Sequence, residues 1–326
     1  MKTMVDVLNA PRRGKFFQLE QLRGEWMELS LAPEFGCHWT RLRVSVKGEW
    51  ADFLKPVASG DALLDASTGH GSYIMAPWSN RIAGAGFEFS GRRYQLRKNF
   101  RDGTAIHGDV RTRPWTVIES SAERFEAELD SREFMDFNFP FAARFHQAIG
   151  MEADRLRMDF TTENAGDEPM PAGFGIHPFV MRRLTWRDDD VMLVVPADRV
   201  YPAVGCIPTG PAEAVERSTD LRHLRKLGKP NLDHCFTGFT EREIRLIYQG
   251  SRAEVRFGFD ESFGHAVIYA PNLIDGSAAP FVAIEPVTNA NDGFNLLAKG
   301  WKDTGVRILE PGERWTASLE ISVGDI

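Results

Sequence analysis

Cysteine is scarce in this chain of 326 residues. There are three, Cys37, Cys206 and Cys235, widely spaced and odd in number. That argues against a disulfide framework, and the lack of a CxxC pair or Cys/His cluster argues against zinc. The reducing cytoplasm is therefore the expected compartment. A basic excess is also missing: 39 basic against 46 acidic side chains give a net charge of −7. Nucleic acid and anionic membrane surfaces are thus poor partners, and a small neutral or weakly charged one fits better. No run approaches the ~18 apolar residues of a membrane span. The opening MKTMVDVLNAPRRGKFFQLEQLRG has no apolar core of the kind a secretory signal needs. Helical periodicity is thin too, limited to short candidates in SGDALLDAS (59–67) and STDLRHLRKLG (218–228), where Leu221, Leu224 and Leu227 fall three apart.

Period-2 alternation is what the chain has in abundance. Leu156, Met158 and Phe160 alternate with Arg157, Asp159 and Thr161; Val255, Phe257 and Phe259 repeat the pattern. Near the C-terminus Trp315, Ala317, Leu319, Ile321 and Val323 share one face. Such alternation marks half-buried strands. Turn signals such as residues 163–167 (ENAGD) and 310–313 (EPGE) separate them. With 29 glycines, 18 prolines and no linker-like tract, the economical reading is all-β: one large antiparallel β-sandwich forming a single domain over residues 1–326. In TWRDDDVMLV the three aspartates before a strand read as a solvated loop.

Four segments concentrate groups that do chemistry: APWSNRIAGAGFEFSGRRYQL (76–96), AIHGDV (105–110), PAGFGIHPFV (171–180) and FVAIEPVTNANDGFN (281–295). Arg81 offers a planar five-donor fork for sugar or acid oxygens, against the plainer role of a surface arginine. His107 precedes Gly108, which would let a ligand approach the backbone. A lone histidine is more often structural, although a pKa near ~6.5 suits either role. His177 lies between Gly175 and Pro178, so the chain restricts its backbone. Glu285 follows the apolar run Phe281, Val282, Ala283 and Ile284 and reads as a carboxylate at a buried strand end. There it must be paired, for instance with Arg81 or a lysine, or functional. Partial burial raises its pKa and strengthens it as a base.

In chain order these motifs resemble the aldose 1-epimerase (galactose mutarotase-like) family. The match runs through NRI, the hairpin ending in GRRYQL, AIHG, MPAGFGIHPF, IPTG, LDHCF, FVAIEPV and the closing strands, nearly the whole length. The resemblance implies a large β-sandwich and interconversion of the α and β anomers of a free aldose, with no cofactor and no metal. It implies His177 as general acid toward the ring oxygen and Glu285 as general base toward the anomeric hydroxyl. Asn80, Arg81, His107 and Asp233 are implied as substrate-binding residues. Trp78 is a candidate to stack on a pyranose face, a core role being the alternative. The implied partner is a monosaccharide and the expected state a monomer or homodimer. Two departures bear on which sugar is taken: HAVIYAPN lacks the glutamine often found before the family's glutamate, and GIHPF replaces an Asn-His-x-Tyr-Phe form. Two alternatives stay open. One is an epimerase of a phosphorylated or otherwise charged hexose, ranked below a neutral sugar on the Asn-Arg-Ile motif, with Arg92, Arg93 and Arg97 as cations to meet the charge unless they only line a solvated hairpin. The other is a non-catalytic carbohydrate-binding module of the same fold.

Overall fold

The computed structural model describes residues 7–10, 15–64, 69–185 and 189–326. The alternating segments form long strands: Arg155–Asn164, Ala253–Phe259 and Arg314–Asp325. They lie side by side and antiparallel in a nine-stranded sheet, with Leu156 opposite Ile321, Met158 opposite Leu319 and Phe257 opposite Ile321. The apolar positions named from the alternation, from Leu156 to Val323, are all buried. Each large side chain so removed from water contributes about 1.5–3 kcal/mol.

A second sheet of eight strands faces the first. Its middle runs through Leu232–Phe239, His265–Ala270 and Phe281–Val287 to Gly175–Ile176 and Ile74–Met75. Phe145, Phe160, Phe257 and Leu319 of the nine-stranded sheet share one core cluster with Ile176, Phe236, Ile268 and Ile284 of the eight-stranded sheet. Phe174 ties the layers, its ring centroid 4.9 Å from that of Phe160 and 4.7 Å from that of Trp315. A four-stranded sheet, Glu20–Arg23 to Glu49–Asp52, adds Leu22, Leu29 and Leu42 to the same core. The antiparallel β-sandwich expected from the alternation is the observed architecture.

Strand parity separates core from site. In Phe281–Val287 the side chains of Val282 and Ile284 join the large core, while Ala283 and Val287 join a smaller cluster with Tyr73, Met75 and Phe179. Glu285 shares the parity of Ala283 and Val287, because successive side chains of a strand point to opposite faces. The same split places Ile74, Ala76, Ile176 and Val180 inside, and Tyr73, Met75 and Phe179 on the outer face.

Two local expectations need correction. Residues 218–228 form turns and the short strand Arg225–Lys226, not a helix. Leu221 and Leu227 are buried but Leu224 is exposed, and Arg225 pairs with Leu193 at the edge of the nine-stranded sheet. So short a segment does not hold a helix by itself, and sheet pairing overrides its leucine spacing. Nor are the aspartates before Met192–Val194 simply solvated. Asp189 is buried and accepts hydrogen bonds from the Ser251 amide and hydroxyl, and Asp190 pairs with Arg182 at 2.6 Å. Asp188 lies outside the described residues. Of SGDALLDAS, Gly60–Leu64 is a short α-helix and residues 65–67 lie outside the described residues.

Candidate active site

On the outer face of the eight-stranded sheet a cavity of about 820 Å³ is lined by Asn80, Arg81, His107, His177, Asp233 and Glu285 among others. Six of the seven residues singled out from the sequence therefore meet in one place, although Asn80 and Glu285 stand in opposite halves of the chain. Trp78 does not. It is 1% exposed, packs in the large core with its ring 6.2 Å from Phe139, and lines no part of the cavity. Its neighbour Asn80 turns the chain outward with φ +53°, a left-handed conformation that asparagine tolerates.

Glu285 and His177 form the floor. Glu285 is 2% exposed, and its Oε1 lies 3.1 Å from His177 Nε2, while Oε2 and His177 Nδ1 are buried without hydrogen-bond partners among the described residues. The His177 amide donates to the Tyr73 carbonyl at 3.0 Å, and its imidazole stacks on Phe179 with centroids 4.3 Å apart. Gly175 permits this approach of three strands. A Cβ there would lie 2.5 Å from Val287 Cγ1 and 2.7 Å from the Pro286 carbonyl. The aim of His177 thus comes from strand pairing and ring stacking as well as from the flanking Gly175 and Pro178.

Burial disfavours charge on both members of the pair. Desolvation, then the Asp233 carboxylate, pushes the Glu285 pKa well up, with Arg81 opposing. Desolvation, then the Arg111 guanidinium, pulls the His177 pKa down. The environment therefore favours the neutral form of each, with Glu285 protonated and His177 uncharged. His107, edge-on to His177 at 5.0 Å, is also held neutral, by burial first and then by His177 and Arg111.

The walls are fixed by hydrogen bonds. Asn80 Oδ1 accepts from the Arg81 amide and Nη1, and Arg81 Nε donates to Asp102 at 2.9 Å. Arg81 is thus committed to Asp102 rather than to Glu285, whose partner is His177. Asn289 Oδ1 accepts from the Ser79 amide and hydroxyl, while the Asp292 amide donates to the Arg81 carbonyl. Both contacts join the Arg81 turn to the chain leaving the Glu285 strand. His107 and Gly108 take φ of +61° and +65°, and a Cβ on Gly108 would lie 1.8 Å from the Ala76 carbonyl oxygen. Gly108 therefore admits another stretch of backbone, where the sequence suggested a ligand. Asp233 Oδ2 accepts from the Cys206 thiol at 2.9 Å.

Tyr73 and Arg111 also line the cavity and were not singled out from the sequence. Tyr73 packs 5.0 Å from His177 and 5.8 Å from His107, and the Arg111 guanidinium lies over its ring at 5.5 Å. Burial raises the Tyr73 pKa, keeping it a neutral donor. The signal available was parity: Tyr73 precedes the buried Ile74 by one position, and Arg111 follows the His-Gly motif.

The sandwich thus carries one cavity in which a buried His–Glu pair lies beside arginine, histidine and aspartate, an arrangement equipped for proton transfer. The sequence profile of the aldose 1-epimerase family matches residues 28–322, and the chain belongs to that family. It is 28% identical over 230 residues to the uncharacterised Escherichia coli K12 protein YihR, covering 69% of this chain and 72% of that one. It is 29% identical over 283 residues to YphB of the same organism, also uncharacterised, covering 85% and 92%. Among solved structures, the Caenorhabditis elegans GalM/aldose epimerase homologue superposes with a TM-score of 0.81 at 18% identity, covering 94% of this chain and 99% of that one. A galactose mutarotase-like protein from Clostridium acetobutylicum gives 0.81 at 16%, covering 95% and 96%. At such identities these structures share the fold.

Proposed function

We propose that this protein is an active aldose 1-epimerase, an isomerase that interconverts the α and β anomers of a free aldose. The observation that carries the reading is the buried pair at the cavity floor, Glu285 Oε1 and His177 Nε2 at 3.1 Å. In a pyranose, O1 and the ring oxygen O5 are both bonded to C1, so acid and base must act about one hydrogen bond apart. This pair meets that requirement. Glu285, as carboxylate, takes the proton from O1–H; C1–O1 becomes a carbonyl, the C1–O5 bond breaks, and O5 takes a proton from His177. Rotation about C1–C2 presents the other carbonyl face, and closure returns each proton to its source. The residues regain their starting states without outside help.

The neutral resting combination differs from the reactive one, His177 protonated and Glu285 ionised, only by movement of one proton across the 3.1 Å contact. An O1–H donated to Glu285 favours the carboxylate form. Arg81, His107 and Asp233 hold the sugar hydroxyls, and Asn80 holds Arg81. The test is polarimetry of a freshly dissolved α-aldose in a non-catalytic buffer. Parent protein is expected to speed equilibration, and His177→Ala to lower the rate by about 10²–10⁴-fold, the usual contribution of a positioned acid. Tight sugar binding without acceleration would instead make the protein a binding module.

A further inference from the structure

We infer that the sugar taken by this cavity carries an anionic group, a phosphate, sulfonate or carboxylate, on a carbon other than C1, and that Lys98 and Arg101 receive it at the mouth. The inference rests on the mutarotase reading and narrows its substrate class. The chain as a whole carries −7, yet the cavity presents Arg81, Lys98, Arg101 and Arg111 against two carboxylates, Asp233 and Glu285. Burial also favours the neutral form of Glu285. A basic cleft in an acidic protein concentrates anions and speeds their capture.

The four cations are not equivalent. Arg81 is engaged by Asp102 and Asn80, and Arg111 lies buried over Tyr73. Lys98 and Arg101 are exposed, and among the described residues neither forms an ion pair. The arginines just before them do have partners. Arg92 meets Glu168 at 3.1 Å, Arg93 reaches Glu88 at 4.0 Å, and Arg97 donates to the Asp136 carbonyl. The sequence pointed to those three for a charged substituent, but none of them lines the cavity. Lys98 and Arg101 reverse the ranking that put a neutral sugar first.

The segment bearing them is held in place. Asn99 exchanges two hydrogen bonds with Ile106, of 3.0 and 2.7 Å, beside His107. Asp102 accepts from Thr104 and from Arg81, and the guanidinium groups of Arg81 and Arg101 lie 5.2 and 5.7 Å from the Phe100 ring centroid. A segment ordered before binding loses little entropy when an anion arrives. Depth sets the orientation of the sugar. Ring opening requires a free O1–H and O5 at the buried pair, so the charge must sit away from C1, toward the exposed rim. There a lysine supplies a point charge and an arginine a fork for oxyanion oxygens.

The experiment measures kcat/KM for mutarotation by the full chain on four sugars: a neutral hexose, its 6-phosphate, its 6-deoxy-6-sulfonate and its 6-carboxylate. The parent protein and the double variant Lys98→Ala/Arg101→Ala are compared at low and moderate salt. The parent is expected to prefer at least one anionic sugar by tenfold or more. Both the double substitution and added salt should cut that anionic-to-neutral ratio at least fivefold, since exposed charges are screened. The three anionic arms identify the substituent. Equal or better turnover of the neutral sugar overturns the inference and leaves the mutarotase reading intact, as does a double variant with an unchanged ratio. Absence of acceleration on all four sugars removes both.

Discussion

Replacing Glu285 by glutamine keeps the shape of the side chain and an acceptor facing His177 Nε2. It removes only the capacity to take a proton. A positioned general base contributes about 10²–10⁴-fold, so kcat is expected to fall by that factor, or roughly 3–5 kcal/mol of barrier. Stability should move the other way. Burial raises the Glu285 pKa in the folded protein, so the fold retains a proton that the unfolded chain releases near pH ~4.3. Between that pH and the raised folded value the folded state binds more protons, and stability falls as pH rises, by about 1.4 kcal/mol per pH unit. Glutamine does not titrate. The variant should therefore be more stable than its parent at pH 7–8, with the difference shrinking toward pH 4. Polarimetry and urea unfolding at several pH values read both effects. An inactive variant whose stability advantage did not grow with pH would refute the picture of a desolvated base, and an active one would refute its role.

Gly108→Ala forces a left-handed backbone on alanine and drives its Cβ into the Ala76 carbonyl, 1.8 Å away. A loss of at least ~2 kcal/mol is expected by denaturant unfolding. Trp78→Phe should leave KM for any accepted sugar unchanged while lowering stability, since the indole is a core group; a raised KM would restore it to the binding surface.

Much of the fold was legible because a strand with one buried face writes its parity into the sequence. Leu156 to Phe160 and Trp315 to Val323 are the clearest cases, and both occupy the middle of the nine-stranded sheet. The floor of the site was legible for another reason. A glutamate after four apolar residues and a histidine between glycine and proline break local rules, and such breaks mark places where chemistry outweighs packing. The remainder depends on contacts between distant stretches. Nothing beside Trp78 tells whether its ring faces sugar or core, because that is decided by Phe139, sixty-one positions on. The room that Gly108 makes is filled by Ala76, and Leu224 loses its helical spacing to a sheet edge formed with Met192–Val194. Lys98 and Arg101 resemble their paired neighbours in sequence, and only the fold sets these two at the cavity mouth and the other three away from it.

The alternation through Phe281–Val287 has an evolutionary consequence. Val267 stands opposite Glu285 and Ile268 opposite Ile284, so one residue inserted before Glu285 would send the carboxylate into the large core and Ile284 into the cavity. The floor can change only by substitution. The segment between Gln95 and Ala105, which lies between strands, is under no such arithmetic. Lengthening or shortening it re-charges the mouth and leaves the floor in register. Indels at residues 97–104 would therefore change the charge at the cavity mouth without shifting the face on which Glu285 lies.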